Sequence, residues 1–242
     1  MEWNARTELL IGHEGAERLA AAHVLVVGVG GVGGYAVEML ARAGVGQLTI
    51  ADGDTFEESN LNRQLYSLRS TLGQPKVEVV KARLLDINPF LKISTIHSLL
   101  HDEELETLVA QRFDLIIDAI DTLSPKVYLI RGALAKGTPI VSSMGCGARL
   151  SASGPRVSSI WKTTGDPLAS AVRKRLRRMG VDGDFLAVWT PEPPIASARV
   201  ETTGESYKRS RVGVISYMPA LFGTHAAAAG LEILLHNAPQ CQ

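Results

Sequence analysis

The chain has 242 residues, enough for one large domain with its own hydrophobic core. Hydrophobic residues make up 45% and charged residues 21%, and 25 basic side chains balance 25 acidic ones. This excludes a general polyanion binder and leaves room for local basic patches. The only cysteines are Cys146 and Cys241, with no C-x-x-C pair. A four-cysteine zinc site is therefore excluded, a disulfide framework is disfavoured, and a reducing cytoplasm is the expected compartment.

The opening stretch MEWNARTELLIGHEG lacks the basic start and apolar core of a secretory signal. From residue 23 the pattern alternates strand and helix. HVLVVG is a continuous apolar run, as expected of a strand buried on both faces. GYAVEMLARAG follows as a helix closed by Gly44. QLTIAD is the second strand, and QPKVEVVKARLLDIN a helix between Pro75 and the Asn88-Pro89 stop. KISTIH, DEELETLVAQR and FDLIIDAID give strand, helix and strand. SPKVYLIRGALAKG is a helix with Ser124 as expected N-cap, and TPIVSSMG is the fifth strand.

Past Gly147 the pattern changes. RVSSIWK alternates like a strand, DPLASAVRKRLRRMG reads as a helix, and FLAVWT as a short strand. Residues 191–211 are polar, proline-rich and unpatterned, the mark of a functional crossover loop or lid. The closing VGVISYMPALFGTHAAAAGLEILLHN reads as a strand leading into a buried helix. Pro219, His225 and Glu232 interrupt it, so no integral membrane span is expected, although loose membrane association stays open. The predicted fold is α/β: a Rossmann-like, mainly parallel sheet flanked by helices, with a smaller C-terminal mixed extension continuing the sheet. The single domain 1–242 divides into a nucleotide-binding half, 1–147, and a substrate-binding half, 148–242.

Gly28, Gly30 and Gly33 fit G-x-G-x-x-G between a strand and a helix, with Gly31 beside them. Such a turn lets backbone approach phosphates, and the helix N-terminus favours negative charge. The loop alone does not distinguish NAD, FAD and ATP. Asp52 ends the second strand, where a ribose-binding acid belongs. The run ADGDTFEESNLNRQ then packs Asp52, Asp54, Asn60, Arg63 and Gln64 into one loop, and Lys76 follows at a helix start. Cations and an amide beside a phosphate loop suit a triphosphate and its leaving pyrophosphate, which hydride transfer does not require. At the end of strand four stand Asp118 and Asp121. Asp121 is the candidate magnesium ligand, whereas Asp118 lies inside the apolar pattern and suits backbone donors.

The motifs GVGGVG, ADGDTFEESNLNRQ, GQPK and DAID, in this order, resemble the ubiquitin-activating-enzyme superfamily of adenylating enzymes. The second half, with IVSSMGCGARL and T..DPLA..VR..LR..G, is similar to its tRNA threonylcarbamoyladenosine dehydratase branch. The resemblance implies ATP as substrate and Mg2+ as cofactor, with Asp52 on the ribose and with Asn60, Arg63 and Lys76 on the phosphates. It implies Asp121 on the metal and Arg6 acting in trans within a homodimer. The implied partner is tRNA carrying threonylcarbamoyladenosine, whose carboxylate would be adenylated before ring closure; no strong general base stands out. Arg173, Lys174, Arg177 and Arg178, with Arg175, are candidates for tracking tRNA phosphates or form a solvated face. Cys146 reads as a small buried residue rather than a thioester-forming one, and Cys241 as an inert tail residue. Two alternatives stand beside this reading. One is an adenylyltransferase for a ubiquitin-like sulfur carrier, which would make a sulfur-relay or carrier protein the partner. The other is an NAD-binding redox or regulatory protein.

Overall fold

The computed structural model describes residues 2–201 and 210–236; Cys241 and the middle of the crossover loop lie outside them. The elements are helix α1 (Ala5–Ala21), strand β1 (His23–Val27), helix α2 (Gly33–Ala43) and strand β2 (Gln47–Ala51). They continue with α3 (Lys76–Ile87), β3 (Lys92–Ile96), α4 (Asp102–Val109), β4 (Leu115–Asp118), α5 (Leu123–Lys136) and β5 (Ile140–Ser143). The second half adds β6 (Arg156–Ser159), α6 (Pro167–Arg178), β7 (Leu186–Trp189), β8 (Arg199–Glu201), β9 (Ser210–Val212) and α7 (Tyr217–His236).

Seven strands form one sheet in the order β3-β2-β1-β4-β5-β7-β6. All neighbours are parallel except β6, which runs antiparallel to β7 at the edge. Strands β8 and β9 form a separate antiparallel pair. The central strands are almost wholly buried because helices cover both faces. On one face, α2 and α7 pack against each other with α1 and α3 beside them, around Leu40, Leu48, Ile50, Leu84 and Phe222. On the other, α4, α5 and α6 enclose Leu25, Leu105, Ile116, Ile130 and Leu176.

Helix α7 is the one described helix long and apolar enough to cross a membrane by length and composition, and half of its most apolar window is buried inside the protein. It is apolar around most of its circumference because it packs on α1, α2 and the sheet at once.

Three local expectations are corrected. Helix α5 begins at Leu123 rather than at an N-cap on Ser124, whose hydroxyl donates instead to the Asp102 carboxylate at 3.2 Å. The strand expected over 156–162 ends at Ser159, whose Oγ accepts the Trp161 N–H at 3.2 Å and turns Ile160–Lys162 into a short 3-10 segment. Before α7, strand structure stops at Val212, so residues 213–216 approach the helix as irregular backbone.

Candidate functional site

The strand order reverses between β1 and β4, and in such sheets ligands sit beyond the carboxyl ends of the strands at that switch point. The glycine loop leaves β1 there. Gly28 has φ 86°, and a Cβ on it would meet the Ala119 carbonyl at 2.8 Å; on Gly33 a Cβ would fall 1.8 Å from the Gly28 carbonyl. These two glycines close the turn against the loop after β4. Gly30 and Gly31 face other neighbours: Cβ atoms there would meet the Gln64 amide at 3.5 Å and the Pro219 ring at 3.1 Å. The first turn of α2 has no side-chain cap, which suits an N-terminus meant for an anion.

Asp52, just past β2, accepts the Val29 N–H on Oδ2 at 2.9 Å and the Asp54 N–H on Oδ1 at 2.9 Å. The carboxylate is thereby locked against the glycine loop, and each oxygen keeps further acceptor capacity. Lys76 opens α3 and is buried, and its Nζ pairs with Asp54 Oδ2 at 2.8 Å. Asn60 is also buried: its Oδ1 accepts the Glu57 N–H at 3.1 Å and its Nδ2 donates to Ser59 Oγ at 3.3 Å. Its first task is thus to shape the loop that presents Arg63. Arg63 is half-buried, donating through Nη1 to the Ser59 carbonyl at 2.7 Å and to Asn62 Oδ1 at 3.0 Å. Asp121 is exposed at the carboxyl end of β4, beyond the Ala119 backbone that underlies Gly28.

Asp118 carries a role that local sequence pattern does not show. It is fully buried with the fully buried Lys126 of α5, Nζ to Oδ2 2.6 Å. The Lys126 ammonium also donates to Ser142 Oγ at 3.2 Å and to the Ser143 carbonyl at 2.8 Å. Asp118 Oδ1 accepts the Ile120 N–H at 3.0 Å. One ion pair therefore ties the loop bearing Asp121 to β4, β5 and α5. Asp166 is a second organiser: it caps α6 through the Ala169 N–H at 2.9 Å, accepts the Gly145 N–H at 3.2 Å and meets the buried Arg149 at 3.4 Å. This fixes the amino end of α6 beside the end of β5.

Beyond that end, Arg173 turns inward to the Ile160 carbonyl at 3.4 Å and to Thr163, and so anchors the helix. Lys174, Arg175, Arg177 and Arg178 are exposed, with Arg177 stacked 4.9 Å over the Trp161 ring. Arg6 is exposed on the first turn of α1, next to the bare side chains of Leu9 and Leu10, 86% and 85% exposed. Cys146 is half-buried between the sheet end and Arg149. Burial pushes its thiol up to about 11, and the Arg149 and Arg63 charges offset this only partly.

Among the described residues no three histidine, cysteine, aspartate or glutamate side chains gather as a metal cage. Asp121 is an exposed carboxylate at the carboxyl end of β4, a donor of the kind magnesium takes when water and substrate phosphates complete its shell.

Comparison with known proteins identifies the family. Residues 4–241 match the ThiF family. The chain is 40% identical to a Bacillus subtilis tRNA threonylcarbamoyladenosine dehydratase over 79% of this chain and 75% of that protein. It is 31% identical to the Escherichia coli dehydratase over 98% of this chain and 96% of that one. A solved structure of the E. coli dehydratase in complex with ATP superposes with a TM-score of 0.87 at 29% identity, covering 97% of this chain and 94% of that one. An E. coli molybdopterin-synthase adenylyltransferase is 43% identical over only 53% of this chain and 51% of its own length. The chain belongs to the ThiF family, and within it to the tRNA threonylcarbamoyladenosine dehydratases.

Proposed function

We propose that the protein uses ATP to dehydrate threonylcarbamoyladenosine in tRNA to its cyclic form. The observation that carries the reading is the buried Lys76, paired with Asp54 at 2.8 Å next to a glycine loop that Asp52 locks in place. A buried cation poised at a phosphate cradle serves phosphate charge, and nothing in hydride transfer calls for it.

The substrate carboxylate attacks the α-phosphorus of ATP, forming an acyl-adenylate and expelling pyrophosphate. The neighbouring carbamoyl group then closes on the activated carbonyl, expelling AMP and a proton. The glycine loop and the first turn of α2 hold phosphate oxygens, Asp52 holds the ribose, and Lys76 and Arg63 take up charge on the leaving pyrophosphate. Asp121 would hold Mg2+, which when bound supplies further charge neutralisation to the phosphates. Burial of the Asp118–Lys126 pair keeps the Asp121 loop from yielding as charge develops.

Lys174, Arg175, Arg177 and Arg178 are exposed along the last turns of α6, which suits contact with a tRNA backbone. Exposed Leu9 and Leu10 beside Arg6 support a homodimer in which Arg6 reaches the partner's phosphates. The cytoplasm, which holds both ATP and tRNA, is the proposed compartment.

The test is ATP turnover with and without tRNA carrying the modification, with AMP and the cyclic nucleoside followed by mass spectrometry. Stimulation by modified tRNA is expected. Pyrophosphate exchange stimulated only by a small sulfur-carrier protein would replace this reading, as would NAD binding without exchange.

A further inference from the structure

Asn62 stands between Arg63 and the second half of the chain. Its Oδ1 accepts from Arg63 Nη1 at 3.0 Å, and its Nδ2 donates to the Val214 carbonyl at 2.9 Å. The partners fix which end of the amide is which, since a guanidinium only donates and a backbone carbonyl only accepts. Arg63 Nη1 also donates to the Ser59 carbonyl at 2.7 Å. Both hydrogens of this nitrogen are thus committed to protein oxygens. The guanidinium is held by that corner, which leaves Nε and Nη2 as the forked edge that suits a phosphate.

Val214 lies in the irregular backbone between β9 and α7, on the return stem of the crossover loop. The stem has further anchors. The Gly213 carbonyl accepts the Ala148 N–H at 2.7 Å, the Gly213 N–H donates to the Ala198 carbonyl at 2.7 Å, and Tyr217 Oη donates to the Leu150 carbonyl at 2.8 Å. The side chain that holds Arg63 is therefore itself held by a stem fastened to the loop after β5.

We propose that Asn62 is a positioning residue that ties the aim of Arg63 to this return stem. How well Arg63 takes up charge on the leaving pyrophosphate then depends on how firmly residues 213–216 are seated. This rests on the role given to Arg63 above.

The test compares wild type, Asn62→Ala, Arg63→Ala and the double variant. Asn62 is exposed, so Asn62→Ala should melt within about 3 °C of wild type. Its kcat for AMP formation with modified tRNA should fall about tenfold, while the ATP dissociation constant stays within about threefold. In the Arg63→Ala background the same change should lower the residual single-turnover rate by less than about twofold, because its effect runs through Arg63. Hydrogen exchange reads the other end of the tether. Amides of residues 213–216 should exchange about fivefold faster in Asn62→Ala and within about twofold of wild type in Arg63→Ala. Losses that multiply in the double variant overturn the assignment, as do unchanged exchange over 213–216 and a defect confined to ATP affinity. A larger fall in melting temperature also overturns it, since Asn62 would then be a structural residue of its loop. Wild type and Arg63→Ala separate the levels. Absence of tRNA-stimulated AMP formation in wild type removes the proposed function and this inference with it. Full activity in Arg63→Ala removes the role of Arg63 and, again, the inference. A normal wild type and a defective Arg63→Ala beside an unaffected Asn62→Ala remove this inference alone.

Discussion

Lys126 is the side chain on which the site's geometry most depends. A buried ion pair contributes little over an apolar substitute, but removing one partner strands the other charge. Lys126→Met should cost about 3–5 kcal/mol in denaturant unfolding, and Asp118→Asn in the same chain should recover part of it. Nucleotide affinity should fall as well, because the Ile120 N–H bonded to Asp118 belongs to the loop carrying Asp121. Cys146 behaves oppositely. With its thiol pushed up to about 11 by burial, it stays protonated at neutral pH and is a poor nucleophile. Cys146→Ala should therefore leave AMP formation within about twofold of wild type, and complete loss in a folded variant would restore a covalent role. Because the folded thiol binds its proton more tightly than the unfolded one, it subtracts stability as pH rises from about 9 through 11. The alanine variant should show a flatter alkaline limb.

At the scale of elements, the strands and helices of the first half were legible because each carries its own period. HVLVV and LIID are apolar runs apart from His23 at the start of one and Asp118 at the end of the other, and they are the strands covered on both faces. The glycine turn and the place of Asp52 beside it were legible for the same reason, since a strand, a glycine turn and an acid at the next strand end are local signals. The Asp118–Lys126–Ser142 cluster was not, because its members come from β4, α5 and β5 and meet only in the folded sheet. The single available hint was an acid inside an apolar strand, which needs a partner. Glu38 is a similar case. It lies buried on α2, receives Arg42 at 2.7 Å, Arg83 of α3 at 3.5 Å and Tyr66 Oη at 3.1 Å, and so clamps α2, α3 and the loop bearing Arg63. Burial raises its carboxyl and these donors outweigh it, leaving the group below its ordinary value. Its stabilisation is present above the unfolded carboxylate value and is lost as pH falls below it. Glu38→Gln should cost about 1–3 kcal/mol at pH 7 and progressively less on acidification toward pH 3, a convergence that acid-range unfolding curves would reveal. On α6, sequence marks five cations alike and the fold divides them. Arg173 is an anchor, and Arg177 leans on Trp161. Replacing Lys174, Arg175 and Arg178 together by Gln should reduce the salt slope of tRNA binding by about 2–3 and leave ATP binding unchanged. An unchanged slope assigns the helix to solvent.

At the scale of the whole molecule, α1 is the element the chain by itself explains least. It packs on α7, bends at Gly12 where φ is 76°, and still leaves Leu9 and Leu10 bare beside Arg6. Two adjacent leucines in water have a cost that a second copy of the chain would remove by covering them. If α1 carries Arg6 into the partner's crevice, the dimer contact and the catalytic complement are one feature. Leu9→Glu with Leu10→Glu should then yield a monomer in sedimentation and abolish AMP formation, while each crevice, intact in itself, keeps measurable ATP binding. The stronger test uses two inactive proteins. Arg6→Ala spoils the arm, and Lys76→Ala spoils the crevice. After subunit exchange, a mixed dimer pairs the intact crevice of the first with the intact arm of the second. Random exchange makes half the dimers mixed with one working site each, so about a quarter of wild-type activity should return. If Arg6 acts within its own chain, every site in every dimer remains defective, and the mixture stays as inactive as its components.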